Sequence, residues 1–237
     1  MLFPASINAS KINLKLNGVR TKYVSSCRYL GVIIDKELQW SAHIDYIYCR
    51  LLKYVGIFYK LRNKLPKRVL KNIYFAFVHP YILYGVEIYA NTSKTHIDRL
   101  QKINNTLLRI LQYQTKRCHV TDLYNNYDTL SVTDLHKLRI LLLVQKYVHH
   151  RDKLPEIFQN YFLFNNDIHS YNTRLATNIH LPRADTSYGQ RSVSYEGVNL
   201  WNYLPEDLKS ISPINKFKEH LKLHLQVESY NNWLYLY

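Results

Sequence analysis

Between Ser41 and Leu111 apolar side chains recur three times at helical spacing, and each recurrence begins where a helix can begin. Ser41 follows Trp40 and can cap free backbone N–H groups, after which Ile44, Ile47, Leu51, Leu52 and Val55 fall on one face. Pro66 opens the second pattern, because a first-turn proline forfeits no hydrogen bond, and Val69, Leu70, Ile73, Tyr74 and Phe77 form its stripe. That helix ends before Pro80. Ser93 caps the third, in which Ile97, Leu100, Ile103, Leu107, Leu108 and Leu111 align while Arg99, Lys102 and Arg109 occupy the outer face. Three one-sided helices in succession bury their stripes by forming a small antiparallel bundle. Val78 to Tyr89, apolar and aromatic with breaks at Pro80 and Gly85, reads as a buried connector.

Upstream, Ile12, Leu14 and Leu16 alternate with polar residues, Asn17-Gly18 supplies a tight turn, and Val19 to Val24 gives the return strand. The run Tyr29-Leu30-Gly31-Val32-Ile33-Ile34 reads as one further strand, followed by a turn at Asp35. A two-stranded ribbon is marginal in water, so a three-stranded sheet is expected. Downstream, Lys116 to Asp128 reads as a loop with a short helix at Thr121 to Tyr124. Ser131 starts a helix in which Leu135, Leu138, Leu141, Leu142 and Val144 are dense enough to core a second unit. A short helix is expected from Pro155 to Phe162, an extended region from Phe164 to Tyr195, and a helical piece from Glu196 to Tyr203 anchored by Trp201. Ser212-Pro213 starts a last helix with Phe217, Leu221 and Leu225 on one face, and Ser229 to Tyr237 reads as a frayed tail. The expected fold is mainly α with a small N-terminal antiparallel β-sheet. Its divisions are a sheet over 1–40, a helical bundle over 41–114, a second helical and extended unit over 115–228, and a tail over 229–237.

The chain has 32 Lys+Arg against 17 Asp+Glu, a formal charge of +15, and is 47% hydrophobic over 237 residues. That composition supports a packed core and excludes a disordered tail. The charge calls for a polyanionic partner, since neutralised phosphates release counterions: nucleic acid first, an anionic lipid surface second. Cys27, Cys49 and Cys118 are odd in number and widely spaced, which fits thiols in a reducing compartment. No run approaches the roughly 20 apolar residues of a membrane span, and Met1-Leu2-Phe3-Pro4 lacks the basic leader of a secretory signal. An intracellular protein without a membrane partner is expected. His220 and His224 share a helical face, but no Glu follows His220 and Cys118-His119 stands alone, so surface histidines are the reading and no metal site is assigned. With only 6 glycines no phosphate-binding loop exists.

The ordered set Arg28-Tyr29-Leu30-Gly31-Val32-Ile33-Ile34-Asp35, Leu38-x-Trp40-x-x-His43-Ile44 and Val78-x-Pro80-x-x-x-Tyr84-Gly85 resembles non-LTR retrotransposon reverse transcriptases. Tyr171-Asn172-Thr173-Arg174 and Gly197-x-x-Leu200-Trp201-Asn202-x-Leu204-Pro205 extend the resemblance from roughly Lys11 to Leu225. It implies that the Tyr-Leu-Gly strand is the last element of a polymerase palm, beside the primer terminus, with the thumb following. Such polymerases hold two divalent ions on carboxylates of a Tyr-x-Asp-Asp hairpin. No adjacent Asp-Asp pair occurs in this chain. The resemblance therefore implies a carboxy-terminal piece whose fingers and most of whose palm lie elsewhere. It would grip a template-primer duplex of RNA and DNA, make no DNA alone, need no cofactor (Mg²⁺ belonging to the full-length family), and work in nucleus or cytoplasm.

Candidate contacts follow. Lys60, Arg62, Lys64, Lys67, Arg68 and Lys71 concentrate charge at the turn between the first two helices, where the resemblance places a thumb against the duplex backbone; a solvated turn is the other reading. Tyr29 and Gly31 match the strand beside the primer terminus, where a glycine allows close backbone approach, or serve as plain strand residues. Tyr171, Arg174, Arg183 and Arg191 mix rings and guanidinium groups suited to single strands, or pin a long loop. The alternative function is a helical scaffold or relic of a mobile element without nucleic-acid contact, and a salt titration separates the two.

Overall fold

The computed structural model describes residues 15–20, 24–168 and 178–234. Strands β1 (Lys15–Leu16) and β2 (Val19–Arg20) form the expected hairpin, with Asn17 at φ 50° and Gly18 at φ 81° in its turn. Its anticipated outer portions at Ile12, Leu14 and 21–23 lie outside the described residues.

The run from Tyr29 to Ile34 is not one strand. It reverses at Leu30 and Gly31, so that β3 (Ser26–Tyr29) and β4 (Val32–Asp35) pair antiparallel with Tyr29 opposite Val32. Leu30 at φ 45° and Gly31 at φ 85° are the two left-handed positions of a tight hairpin turn. An apolar residue at the first of these conceals the turn from hydrophobic patterning. The described residues thus hold two separate two-stranded sheets in place of the expected three-stranded one.

Asp35 builds the turn that follows: its carboxylate accepts the backbone N–H groups of Glu37, Gln39 and Trp40 at 3.1, 2.9 and 2.6 Å. Trp40, at φ 63°, precedes helix α1 (Ser41–Arg62), and no side chain caps that helix. The start expected of the Ser41 hydroxyl is set instead by the Asp35 carboxylate. Along α1, Ile44, Ile47, Leu51 and Phe58 are buried, whereas Leu52, assigned to that stripe, is 48% exposed.

Helix α2 (Lys67–Phe77) buries Leu70 and Tyr74, but Val69 and Phe77 face outward. The connector folds as α3 (His79–Leu83) and α4 (Val86–Tyr89), burying Ile82, Val86 and Tyr89. Helix α5 (Lys94–Leu111) buries its whole anticipated stripe and packs along α1, with Arg99 bonded to Asp45. Ser93 precedes it without a side-chain cap bond.

Helix α6 (Val120–Tyr127) is longer than expected, and α7 (Val132–His149) starts where Ser131 accepts the Asp134 N–H at 3.1 Å. Helix α7 packs against α4, α5 and two later helices. No α-helix forms over Pro155 to Phe162; Glu156–Phe158 is a single 3₁₀ turn. The Tyr147 hydroxyl bonds the Phe162 carbonyl and lies 3.3 Å from that of Gln159, fastening this segment to α7. After α8 (Asn165–Ile168), residues 169–177 lie outside the described set. Then come α9 (Ser187–Gln190), α10 (Val193–Tyr203), α11 (Glu206–Lys209) and α12 (Ile214–Leu234). The last helix therefore continues past Ser229, where fraying was expected, and buries Phe217, Leu221 and Leu225.

Buried side chains from Val32 to Leu225 join in one hydrophobic cluster. Inside it Tyr74 donates to Asn104 at 3.1 Å, and Asn104 and Gln101 donate to the Tyr124 hydroxyl at 3.1 and 2.6 Å. Gln101 also accepts the Val132 N–H at 2.8 Å, so α2, α5, α6 and α7 share one polar network.

Candidate nucleic-acid interface

The six expected cations at the α1–α2 turn divide into two kinds. Arg62 is used within the protein: its guanidinium lies 4.9 Å from the Tyr59 ring and 5.6 Å from the Tyr113 ring, and its carbonyl accepts the Tyr113 hydroxyl. Lys71 donates to the Asn126 carbonyl at 3.3 Å beside the Tyr127 ring, fastening α2 to α6. Lys60, Lys64, Lys67 and Arg68 are exposed, and no ion pair among the described residues involves them.

Two physical features set this corner apart from an ordinary charged surface. Between Asp45 and Glu87 the chain has Lys and Arg at eight positions and not one carboxylate. Lys67 and Arg68 also stand in the first turn of α2, where the helix dipole disfavours cations and no acidic residue compensates. The absence of acidic residues was the signal for this site, and it is readable along the chain without a structure.

The hairpin residues meet a different environment. Tyr29 is 64% exposed at the end of β3. A Cβ on Gly31 would lie 3.3 Å from Tyr84 Cε1, and the Tyr84 hydroxyl donates to the Leu30 carbonyl at 2.5 Å. The hairpin tip is thus pinned to the segment after α3. Beneath it opens a cavity of about 440 Å³ walled by Gly31, Tyr46, Tyr54, Phe77, Tyr81 and Tyr84. Arg28, His43 and, from α2, Ala76 also line it. The Arg28 guanidinium lies 5.2 Å from the Tyr46 ring centre and donates to the Tyr46 hydroxyl at 3.4 Å; Arg50 lies 5.3 Å from the same ring.

His43 accepts the Ile33 N–H on Nδ1 at 3.3 Å. Burial, reinforced by the nearby Arg28 charge, lowers its pKa to about 4, so the ring is neutral at pH 7. Apart from Gly31, these cavity residues are absent from the sequence-derived set. They come from β3, α1, α2, α3 and the segment after α3, and no local spacing joins them.

The other expected contacts are dispersed. Arg183 pairs with Asp185 at 3.1 Å, both exposed, and Arg191 closes α9 with a buried Nε that no described group satisfies. Tyr171 and Arg174 lie outside the described residues. Among the described residues no group of three or more His, Cys, Asp or Glu side chains could hold a metal ion, so the Mg²⁺ pair of the polymerases finds no fitting donor set in them. Within the same residues no helix is long and apolar enough to cross a membrane.

The chain matches the RNA-directed DNA polymerase from mobile element jockey of Drosophila melanogaster at 31% identity over 107 residues, 44% of this chain and 11% of that protein. It resembles retrotransposon RNA-directed DNA polymerases. The probable RNA-directed DNA polymerase from transposon X-element of the same species is 33% identical over 90 residues, 37% of this chain and 10% of that relative. The jockey polymerase of Drosophila funebris is 28% identical over 98 residues, 40% of this chain and 11% of that relative. The chain thus spans about a tenth of the length of these curated relatives. No protein-family model matches it, and no solved structure does.

Proposed function

We propose that this chain is the nucleic-acid-gripping, thumb-containing carboxy-terminal part of a retrotransposon RNA-directed DNA polymerase. It holds a template-primer duplex, with the Tyr29-Leu30-Gly31 hairpin toward the primer end and the catalytic carboxylates supplied from a palm outside it. The observation that carries this reading is the α1–α2 corner, where Lys60, Lys64, Lys67 and Arg68 are exposed, in no ion pair among the described residues, and far in sequence from any carboxylate. Phosphates seated there would be met by Coulomb attraction without internal competition, and the release of their counterions would drive binding irrespective of sequence. The similarity to polymerases acting on nucleic acid supplies the partner class.

A salt titration tests the reading. Binding of the chain to a labelled RNA–DNA hybrid should weaken steeply with salt. Replacing Lys60, Lys64, Lys67 and Arg68 with alanine should lower the affinity and flatten the log–log slope by up to about 0.9 per lost phosphate contact. An unchanged slope would remove the corner from the interface, and no binding at low salt would favour the scaffold alternative. Primed RNA with dNTPs and Mg²⁺ should yield no incorporation; extension of the primer would refute the assignment of catalysis to an outside palm.

A further inference from the structure

The aromatic cavity under the β3–β4 hairpin has the buried ring of His43 in its lining. His43 is 2% exposed, and because Nδ1 accepts the Ile33 N–H, the proton of the neutral ring resides on Nε2. Nε2 is buried with no hydrogen-bond partner among the described residues. That N–H has no accessible surface, so His43 contributes wall and no hydrogen bond to an occupant. The walls supply the specification: the Tyr46, Tyr54, Phe77 and Tyr81 rings for a flat apolar body, and Arg28 with Arg50 on Tyr46 for an anionic appendage. A volume of about 440 Å³ admits one planar heterocycle and its immediate substituent, not a base pair with its backbone.

We infer that the cavity captures a single unpaired nucleobase, which stacks among these tyrosines and sets its phosphate near Arg28 and Arg50. This inference rests on the gripping function proposed above and assigns it a second, distinct contact: the basic corner holds paired backbone, the cavity one unstacked base. A nucleobase is the matching chemistry because it combines a π-face and an attached anion. The base comes from a bound strand or from a free nucleotide, and the two sources share that chemistry.

The test uses the intact chain and 2-aminopurine, whose fluorescence falls on stacking with tyrosine. A duplex ending in a short single-stranded overhang with one 2-aminopurine, a blunt duplex with the same base paired, and 2-aminopurine nucleoside monophosphate are titrated in parallel. Capture predicts saturable quenching of the overhang probe beyond that of the blunt one. Ala76→Trp, which fills the cavity from exposed α2, should weaken that quenching at least tenfold while leaving blunt-duplex affinity and its salt slope unchanged. Tyr54→Leu, which removes one ring from the wall, should weaken it as well, provided its circular dichroism and melting temperature show it folded; the Ala76 variant carries the test if it does not fold.

Quenching of the overhang probe without the monophosphate assigns the base to a strand; quenching by the monophosphate alone assigns it to a free nucleotide. Quenching that survives Ala76→Trp, or no quenching by either ligand, overturns the inference whatever the blunt duplex does. Blunt-duplex binding with its expected salt slope but no quenching therefore refutes the cavity while sparing the grip. Quenching with no duplex binding does the reverse.

Discussion

Two single residues, Gly31 and His43, decide how the hairpin meets the helices. Gly31 occupies a left-handed conformation at φ 85° that a Cβ strains, and that Cβ would press on Tyr84 at 3.3 Å. Gly31→Ala should therefore cost about 1 kcal/mol or more, visible as a lower denaturation midpoint in urea. Tyr84→Phe should cost about 1 kcal/mol by removing the hydroxyl that holds the Leu30 carbonyl, and an unchanged midpoint would show that the tip is not pinned there. His43 couples β4 to α1 only while it is neutral. Gly31 is evident in the sequence as a glycine in an apolar run, but its turn is masked by Leu30, which is itself left-handed. No spacing rule pairs Ile33 with His43, since that bond depends on where the hairpin lies on α1.

Among the elements, Asn104, one fully buried side chain, ties α2, α5 and α6 together, and Gln101 extends that polar network to α7. Asn104→Leu, of similar size, should strand the Tyr74 hydroxyl and remove one partner of Tyr124. A loss of about 1–3 kcal/mol by thermal or urea denaturation is expected. Restoring the balance with Tyr74→Phe in the same chain should recover part of it, and strict additivity of the two losses would argue against their coupling. The α5 stripe was legible whole, and those of α1 and α2 save for Leu52, Val69 and Phe77, because period 3.6 is written along the chain, and Ser131 declared the start of α7 through its own hydroxyl. The misread helix start has a local cause: a side chain ahead of the helix took over the expected cap. Asp35 anchors the start of α1 in place of Ser41, and Tyr147 fastens the stretch after the 3₁₀ turn to α7 through the Phe162 carbonyl.

At the scale of the molecule, acid should loosen the fold. Burial lowers the pKa of His43, helped by Arg28, and of His136 to about 4 in the folded state, against 6.5 when unfolded. Over that window the unfolded chain binds more protons, so stability is full above pH 6.5 and falls as pH drops toward 4, with a ceiling of about 3 kcal/mol per histidine. Glu196, whose carboxyl burial pushes its pKa up, acts in the opposite sense and offsets part of the loss. The melting temperature should decline steadily from pH 7 to pH 4.5, and less so in a folded His136→Gln variant; a flat profile would contradict the burial of these rings.

The sequence by itself determined the helical class, the stripes that form the core and the carboxylate-free basic stretch, because periodicity and charge are properties of the chain in one dimension. Tertiary structure alone decided which cations stay exposed, that Leu30 and Gly31 reverse the chain, and that tyrosines from separate elements wall a cavity beside the buried His43 ring. Those outcomes depend on contacts between residues remote in sequence, whose partners are chosen only when the helices and the hairpin pack.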